Sequence, residues 1–249
     1  VLCPGYIAKG EESVTANDMT AMTGYEPIKF VSTAAHSGAS KGTSDWPLFR
    51  TAEVYLNYAE AKAELGTLTK DDLLISIDRI RDRAGMKGLD MAAANANPDP
   101  FLLACYPNVT KSENAGVILE IRRERTIELV MEGLRMWDMF RWKEGAQMVN
   151  ETAPYYGIYF PGPGLYDMDG DGKNDLELYA AQQTSTPADG LTVLKIGSDI
   201  VLSEAADNRG YVVAWSALKY TWNEERDYLW PIPVGEMNTN TAMEQNPGY

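Results

Sequence analysis

The segment DMDGDGKND has the residue types and spacing to hold a hard cation. Asp167, Asp169, Asp171 and Asp175 take the first, third, fifth and ninth places of a D-x-D-x-D-G-x-x-D loop, with Gly172 at the sixth, where the chain must turn sharply. Carboxylates held this close repel one another unless a cation lies among them. Calcium takes about six to eight oxygens, and the carbonyl of Lys173 at the seventh place adds one more; zinc prefers nitrogen or sulfur. Leu178 stands at the twelfth place, where an EF-hand has a bidentate glutamate, and the flanks YFPGPGLY and LELY are not long amphipathic helices. The pattern therefore predicts a structural calcium loop of the hairpin type, with Asp175 in the bidentate role. An Asp-Gly-rich surface turn without metal is the other reading of the same residues.

A second group is aromatic. Tyr155, Tyr156, Tyr159, Phe160 and Tyr166 fall within YYGIYFPGPGLY. Aromatic faces suit the apolar faces of sugar rings, and phenol hydroxyls bond sugar hydroxyls. Tyrosines packed between a small sheet and helices are the competing reading, and Tyr211, Trp215, Tyr220 and Trp222 are expected in the core. Enzyme chemistry finds no footing: the sequence has no nucleophile elbow, His-based triad, zinc-ligand spacing or phosphate loop. Its single histidine, His36, has no partner at ligand spacing. The chain is expected not to be an enzyme.

Composition narrows the classes further. With 22 Lys and Arg against 36 Asp and Glu, the net charge is -14, which disfavours nucleic acid because a phosphate-binding surface needs a basic patch. The 249 residues suit one large domain or two small ones, the hydrophobic share of 45% is ordinary for a globular protein with a sizeable core, and no apolar run is long enough for a membrane helix. VLCPGYIAKGEES lacks the charged and apolar regions of a signal peptide. Cys3 and Cys105 allow one disulfide, or stand as two thiols.

The elements that must position these groups are mainly helical. Ile118 to Gln147 is free of proline and rich in Leu, Met, Glu and Arg, which predicts one long helix. Ile127, Val130, Leu134 and Trp137, widened by Met131, form its expected apolar face. Arg125, Glu128, Glu132 and Arg135, extended by Asp138 and Arg141, form a charged ladder, either solvated or partly buried with fixed partners. Gly133 is costly inside a helix and predicts a close neighbouring backbone or ring. Upstream, Phe49, Ala52, Leu56, Ala59 and Ala63 mark a helix from Trp46 to Gly66. Thr69 and Asp72 then form a capping box for a second helix through Leu73, Ile77, Ile80 and Ala84 to Gly85, making an antiparallel hairpin near the length of a tetratricopeptide-like repeat. Residues 86–116 read as a long loop. Residues 150–226 read as a small β-containing insertion, and YLWPIP to the end as an extended tail on the helical core with a turn at Asn246 to Gly248.

The order ER, EL, EG, R, D and RW in Glu124 to Trp142, preceded by AEVYLNYAEAKAELG and followed by YLWPIP and QNPGY, resembles the C-terminal part of the SusD/RagB family. The resemblance implies an outer-membrane, cell-surface, lipid-anchored nutrient-binding protein that partners a SusC-like TonB-dependent transporter. It also implies an N-terminal helical-repeat half and an anchoring cysteine outside this chain; Cys3, preceded by Val-Leu, is not expected to be the anchor. The division expected is 1–45 irregular, 46–149 helical core, 150–226 insertion with the calcium loop, and 227–249 tail. The function expected is capture of a glycan and its delivery to the transporter, with Tyr155, Tyr156, Tyr159 and Tyr166 as candidate ligand contacts. Peptide import within the same family, and a calcium-stabilised protein-interaction scaffold, are the alternatives.

Overall fold

The structure, a computed structural model, describes residues 2–4, 23–27, 29, 45, 47–148, 156–168, 172–186, 191–214 and 221–249. The chain forms two compact units, Trp46–Asn150 with Tyr220–Tyr249, and Val1–Asp45 with Glu151–Lys219.

The first of these is helical. Helix α1, Thr51–Glu64, buries Ala52, Leu56, Ala59 and Ala63, which recur every three or four residues. Phe49, expected to open that face, lies ahead of the helix and is almost fully exposed. The next helix starts at Thr69, whose hydroxyl accepts from the Asp72 N–H (3.2 Å) while the Asp72 carboxylate accepts from the Thr69 N–H (2.8 Å), the reciprocal cap that the spacing predicts. It is interrupted at Ser76, whose hydroxyl donates to the Asp72 carbonyl at 2.5 Å, and so divides into α2, Lys70–Ile75, and α3, Ile77–Arg83.

Residues 86–116 are not the long loop expected. Two short helices, α4, Met91–Ala96, and α5, Pro100–Cys105, form there because Asp90 and Asp99 cap them, and Pro100 at the first turn loses no hydrogen bond. Cys105 is a free thiol, pushed up by burial; the Cys3 side chain lies outside the described residues.

The helix expected over 118–147 is broken. Helix α6, Ala115–Glu128, stops where Met131 and Gly133 both turn left-handed, at φ 63° and 77°, and α7, Arg135–Arg141, begins anew before a 3-10 turn at Gly145–Met148. Gly133 is there for that backbone turn and not for a close neighbour: among the described residues, nothing beyond its chain neighbours lies within 4 Å of where its Cβ would be. The break also splits the expected apolar face: Val130 is half-buried and Leu134 packs against the helical core. Val117, Ile118, Leu119 and Ile121 are the buried apolar residues of α6, while Ile127, Met131 and Trp137 are more than half exposed.

The charged ladder is partly buried and pairs mostly with other elements. Arg125 donates to Asp138 and to Asn57, both at 2.6 Å, and Arg125 and Asp138 are each about 5% exposed. Glu128 and Glu132 take Arg50, and Glu60 takes both Arg141 and the Trp142 indole N–H. Arg135 is exposed and reaches Thr126 Oγ1 at 3.0 Å. Burial is tolerated because each charge meets an opposite one.

The tail is not wholly extended. Helix α8, Val234–Thr239, follows Pro233 directly. Gln245 bonds both the N–H and the carbonyl of Ile232 (2.8 and 3.0 Å), Asn246 donates to the Trp230 carbonyl, and the Tyr249 hydroxyl to that of Leu229, so QNPGY closes on LWPI. Tyr228 and Trp222 meet the Phe140 ring at 5.9 and 5.7 Å between centroids.

The second unit is β-rich. Strands β1, Leu2–Pro4, and β2, Tyr25–Pro27, pair antiparallel. Strands β3, Tyr156–Phe160, β4, Gly164–Tyr166, β5, Leu176–Tyr179, β6, Thr192–Lys195, β7, Leu202–Glu204, and β8, Arg209–Val213, build two three-stranded sheets ordered β3-β8-β7 and β4-β5-β6. Phe160, Leu176, Leu178, Ile196, Ile200, Leu202 and Val212 form their common core. Helical units with a β insertion therefore describe the chain, with more breaks than periodicity predicts.

Candidate functional site

Strand β3 is one residue out of step with β8. Tyr156 pairs with Val213 and Tyr159 with Tyr211, so three residues advance on β3 while two advance on β8, a β-bulge. On a regular strand residues three apart point to opposite faces. The extra residue restores Tyr159 to the face of Tyr156, and Tyr211 on β8 joins them. All three are close to 45% exposed, while Phe160, after Tyr159, and Val212, after Tyr211, point into the core. Gly157 sits at the bulge because the Thr23 carbonyl would lie about 2.1 Å from a Cβ there, and Thr23 accepts from the Ile158 N–H at 2.9 Å.

The three rings touch. Tyr156 and Tyr211 stack with centroids 5.2 Å apart and planes 15° apart; Tyr159 meets Tyr211 edge-on at 5.1 Å. The result is a contiguous aromatic surface open to solvent, of the kind that presents π faces to the C–H faces of a sugar and hydroxyls to its rim. At its end, two residues along β8 from Tyr211, Arg209 donates to Glu204 at 2.7 Å and lies 3.3 Å from Asp207. The bond to Glu204, then the charges of Glu204 and Asp207, raise the Arg209 guanidinium above its ordinary range.

Of the tyrosines named from the sequence, Tyr156 and Tyr159 are therefore brought together. Tyr155 lies outside the described residues. Tyr166 is apart from the platform: its ring meets Phe160 edge-on at 5.0 Å and its hydroxyl donates to the Gly162 carbonyl. Tyr211, expected in the core, is the missed member; its position opposite Tyr159 follows only from the bulged register. Trp222 packs among Phe140 and Tyr228, while Trp215 and Tyr220 lie outside the described residues.

The aspartate loop connects β4 to β5, which pair from Gly164↔Leu178 to Tyr166↔Leu176. It is a hairpin connection. Gly172 turns at φ 86°, its N–H donates to Asp167 at 2.8 Å, and the buried Asp175 carboxylate accepts from the Met168 N–H at 2.8 Å. Lys173 is exposed; Asp169 and Asp171 lie outside the described residues. Among the described residues no three His, Cys, Asp or Glu side chains come together as a metal site.

An open cleft of about 580 Å³ lies along the same sheet, lined by Pro163, Leu165, Glu177, Tyr179, Ala181 and Thr184. Glu177 is already committed there: Thr184 gives it an N–H and a hydroxyl, both at 2.7 Å, and Ser185 an N–H at 2.8 Å. The Thr184 N–H foremost holds its carboxyl down at about 2, against the opposing effect of burial.

The match to the SusD family runs over residues 5–249. The chain belongs to the SusD family. Comparison with curated proteins and with solved structures finds no match. SusD proteins are nutrient-binding proteins of the outer-membrane surface, not enzymes; the family binds glycans and partners SusC-like transporters. No described helix of this member is long and apolar enough to cross a membrane.

Proposed function

We propose that this SusD-family chain captures a glycan at the cell surface and delivers it to a SusC-like TonB-dependent transporter, the assembly being held at the outer membrane by a lipid anchor. The observation behind this reading is the solvent-facing row of Tyr156, Tyr159 and Tyr211, three large amphipathic side chains contiguous on one exposed face. A peptide ligand would call for a charged cleft. Among the described residues, the cleft beside Glu177 offers that one carboxylate, and Thr184 and Ser185 occupy it. A structural calcium ion in the β4–β5 connection, held by Asp167, Asp169, Asp171, Asp175 and the Lys173 carbonyl, belongs to the same proposal, as a brace for the hairpin.

A glycan array read with the full-length protein tests the function. Retention of oligosaccharides, lost on Tyr211→Ala with Tyr159→Ala, is expected; retention of peptides alone overturns it. Incubation with the retained oligosaccharide should release no shorter products.

A further inference from the structure

The tyrosine row ends in a fixed polar group. Arg209 and Tyr211 are exposed on β8 while Gly210 and Val212 are buried, and a bulge at Gly210, φ 114°, interrupts the pairing with β7, where Glu204 meets Arg209 and Leu202 meets Val212. The guanidinium is two residues from Tyr211 along the chain and near enough to the Tyr159 phenol for the phenol to act on its charge. It is half exposed yet not floppy: Glu204 takes its Nε–H, and Asp207 lies against Nη2. Two carboxylates around one guanidinium leave this end of the row with a local charge of about -1, within a chain of net charge -14.

We propose that Arg209 and Glu204 are the hydrogen-bonding end of this subsite and select an uncharged sugar, a refinement that rests on the tyrosine row being the glycan site. A ligand carboxylate seeks the two-pronged edge of a guanidinium, and here Glu204 and Asp207 lie against that group first. The guanidinium N–H groups that they leave are held at defined angles and suit neutral hydroxyl acceptors, while Glu204, accepting Nε–H with one oxygen, presents the other to a hydroxyl donor. An anionic sugar would also have to approach against the surplus negative charge. The Tyr faces supply contact area and the Arg209–Glu204 pair supplies direction, a division of labour common to sites that bind polar ligands.

Calorimetric titration of the full-length protein with neutral hexasaccharides of glucose, xylose, mannose and galactose, and with hexagalacturonate, tests this. At least one neutral probe is expected to bind, and hexagalacturonate at least about tenfold more weakly. Arg209→Ala should weaken the neutral probe about tenfold, the loss of one charge-assisted hydrogen bond, without moving the thermal midpoint. Glu204→Gln with Asp207→Asn should narrow the gap between neutral and anionic probes. Tighter binding of hexagalacturonate than of every neutral probe, or of none of the neutral ones, overturns the proposal. If Tyr211→Ala abolishes binding while Arg209→Ala changes nothing, the tyrosine site stands and the role of Arg209 falls. If Tyr211→Ala is without effect, both fall.

Discussion

Arg50 grips Glu132 with two donors, Nε at 2.9 Å and Nη2 at 2.6 Å, and so ties the residue ahead of α1 to the break between α6 and α7. The same guanidinium reaches Glu128 at 2.9 Å, and its affinity for its proton is raised, by Glu132 foremost, although burial opposes it. Glu132→Ala is expected to cost about 1–3 kcal/mol, since a charge-assisted pair is lost from a partly buried site but Glu128 still answers Arg50. Thermal midpoints check it, at roughly 2–4 °C per kcal/mol for a chain of this size. An unchanged midpoint joined to lost ligand binding would mean that Glu132 contacts ligand instead.

Asp138→Ala should be harsher. It leaves the Arg125 guanidinium, about 5% exposed, with a hydrogen bond to Asn57 and only the unbonded charge of Glu60, and breaking a buried pair costs about 3–5 kcal/mol. Ile127→Ala on the same stretch is the contrast: its side chain is 63% exposed, and a change within about 0.5 kcal/mol is expected. Chemical denaturation of both variants decides; equal losses would refute the burial of Asp138 against the exposure of Ile127.

Why the faces were misread is physical. The capping box at Thr69 and Asp72, the seam of α1 and the β character after residue 150 depend on neighbours in the chain, so they are legible in sequence. The break after α6 is not, because Met131 in a left-handed conformation is disfavoured locally and persists through distant partners: Arg50 on Glu132, Asp138 on Arg125. Periodicity counted through the break assigned Trp137 to the core. The tyrosine row was half legible. Tyr156 and Tyr159 stand out as residues; that they share a face, and that Tyr211 joins them, depends on a pairing register no single strand encodes.

Removal of the Tyr211 ring is expected to weaken glycan binding at least about tenfold, or about 1.4 kcal/mol, because that ring contacts both other tyrosines. Tyr166→Phe, which removes only a hydroxyl bonded to Gly162, should leave affinity unchanged. Affinity electrophoresis in the retained glycan compares the two; equal losses would move the site toward Tyr166.

Glu177 makes stability depend on acid. Its carboxyl is held at about 2 in the folded chain and lies near 4.3 when unfolded, so the folded state releases the proton more readily. The stabilisation is complete above about pH 4.3 and fades as the pH falls toward 2. Wild type should therefore exceed Glu177→Gln in thermal midpoint at pH 6, with the gap closing by about pH 2. A gap that is constant with pH would show that the carboxylate's charge is not what binds Thr184 and Ser185.

Chelator-stripped protein titrated with calcium should give heat and a higher thermal midpoint. Asp169→Ala with Asp171→Ala should remove both. Absence of heat, or binding that survives the double substitution, would leave the β4–β5 connection as a turn closed by its own N–H bonds to Asp167 and Asp175.

The bulge between Tyr156 and Tyr159 gives this surface a mode of variation that substitution does not reach. The shared face is set by a count of residues: add one to β8 between Tyr211 and Val213, so that both strands advance by three, and the pleat carries Tyr156 to the side that Phe160 occupies, dismantling the stack without altering a single aromatic side chain. The exposed face of this strand pair can thus change through strand length, leaving its aromatic residues intact. Two sequences that align tyrosine for tyrosine, but differ by one residue in the strand facing Tyr156 and Tyr159, would present different surfaces to solvent.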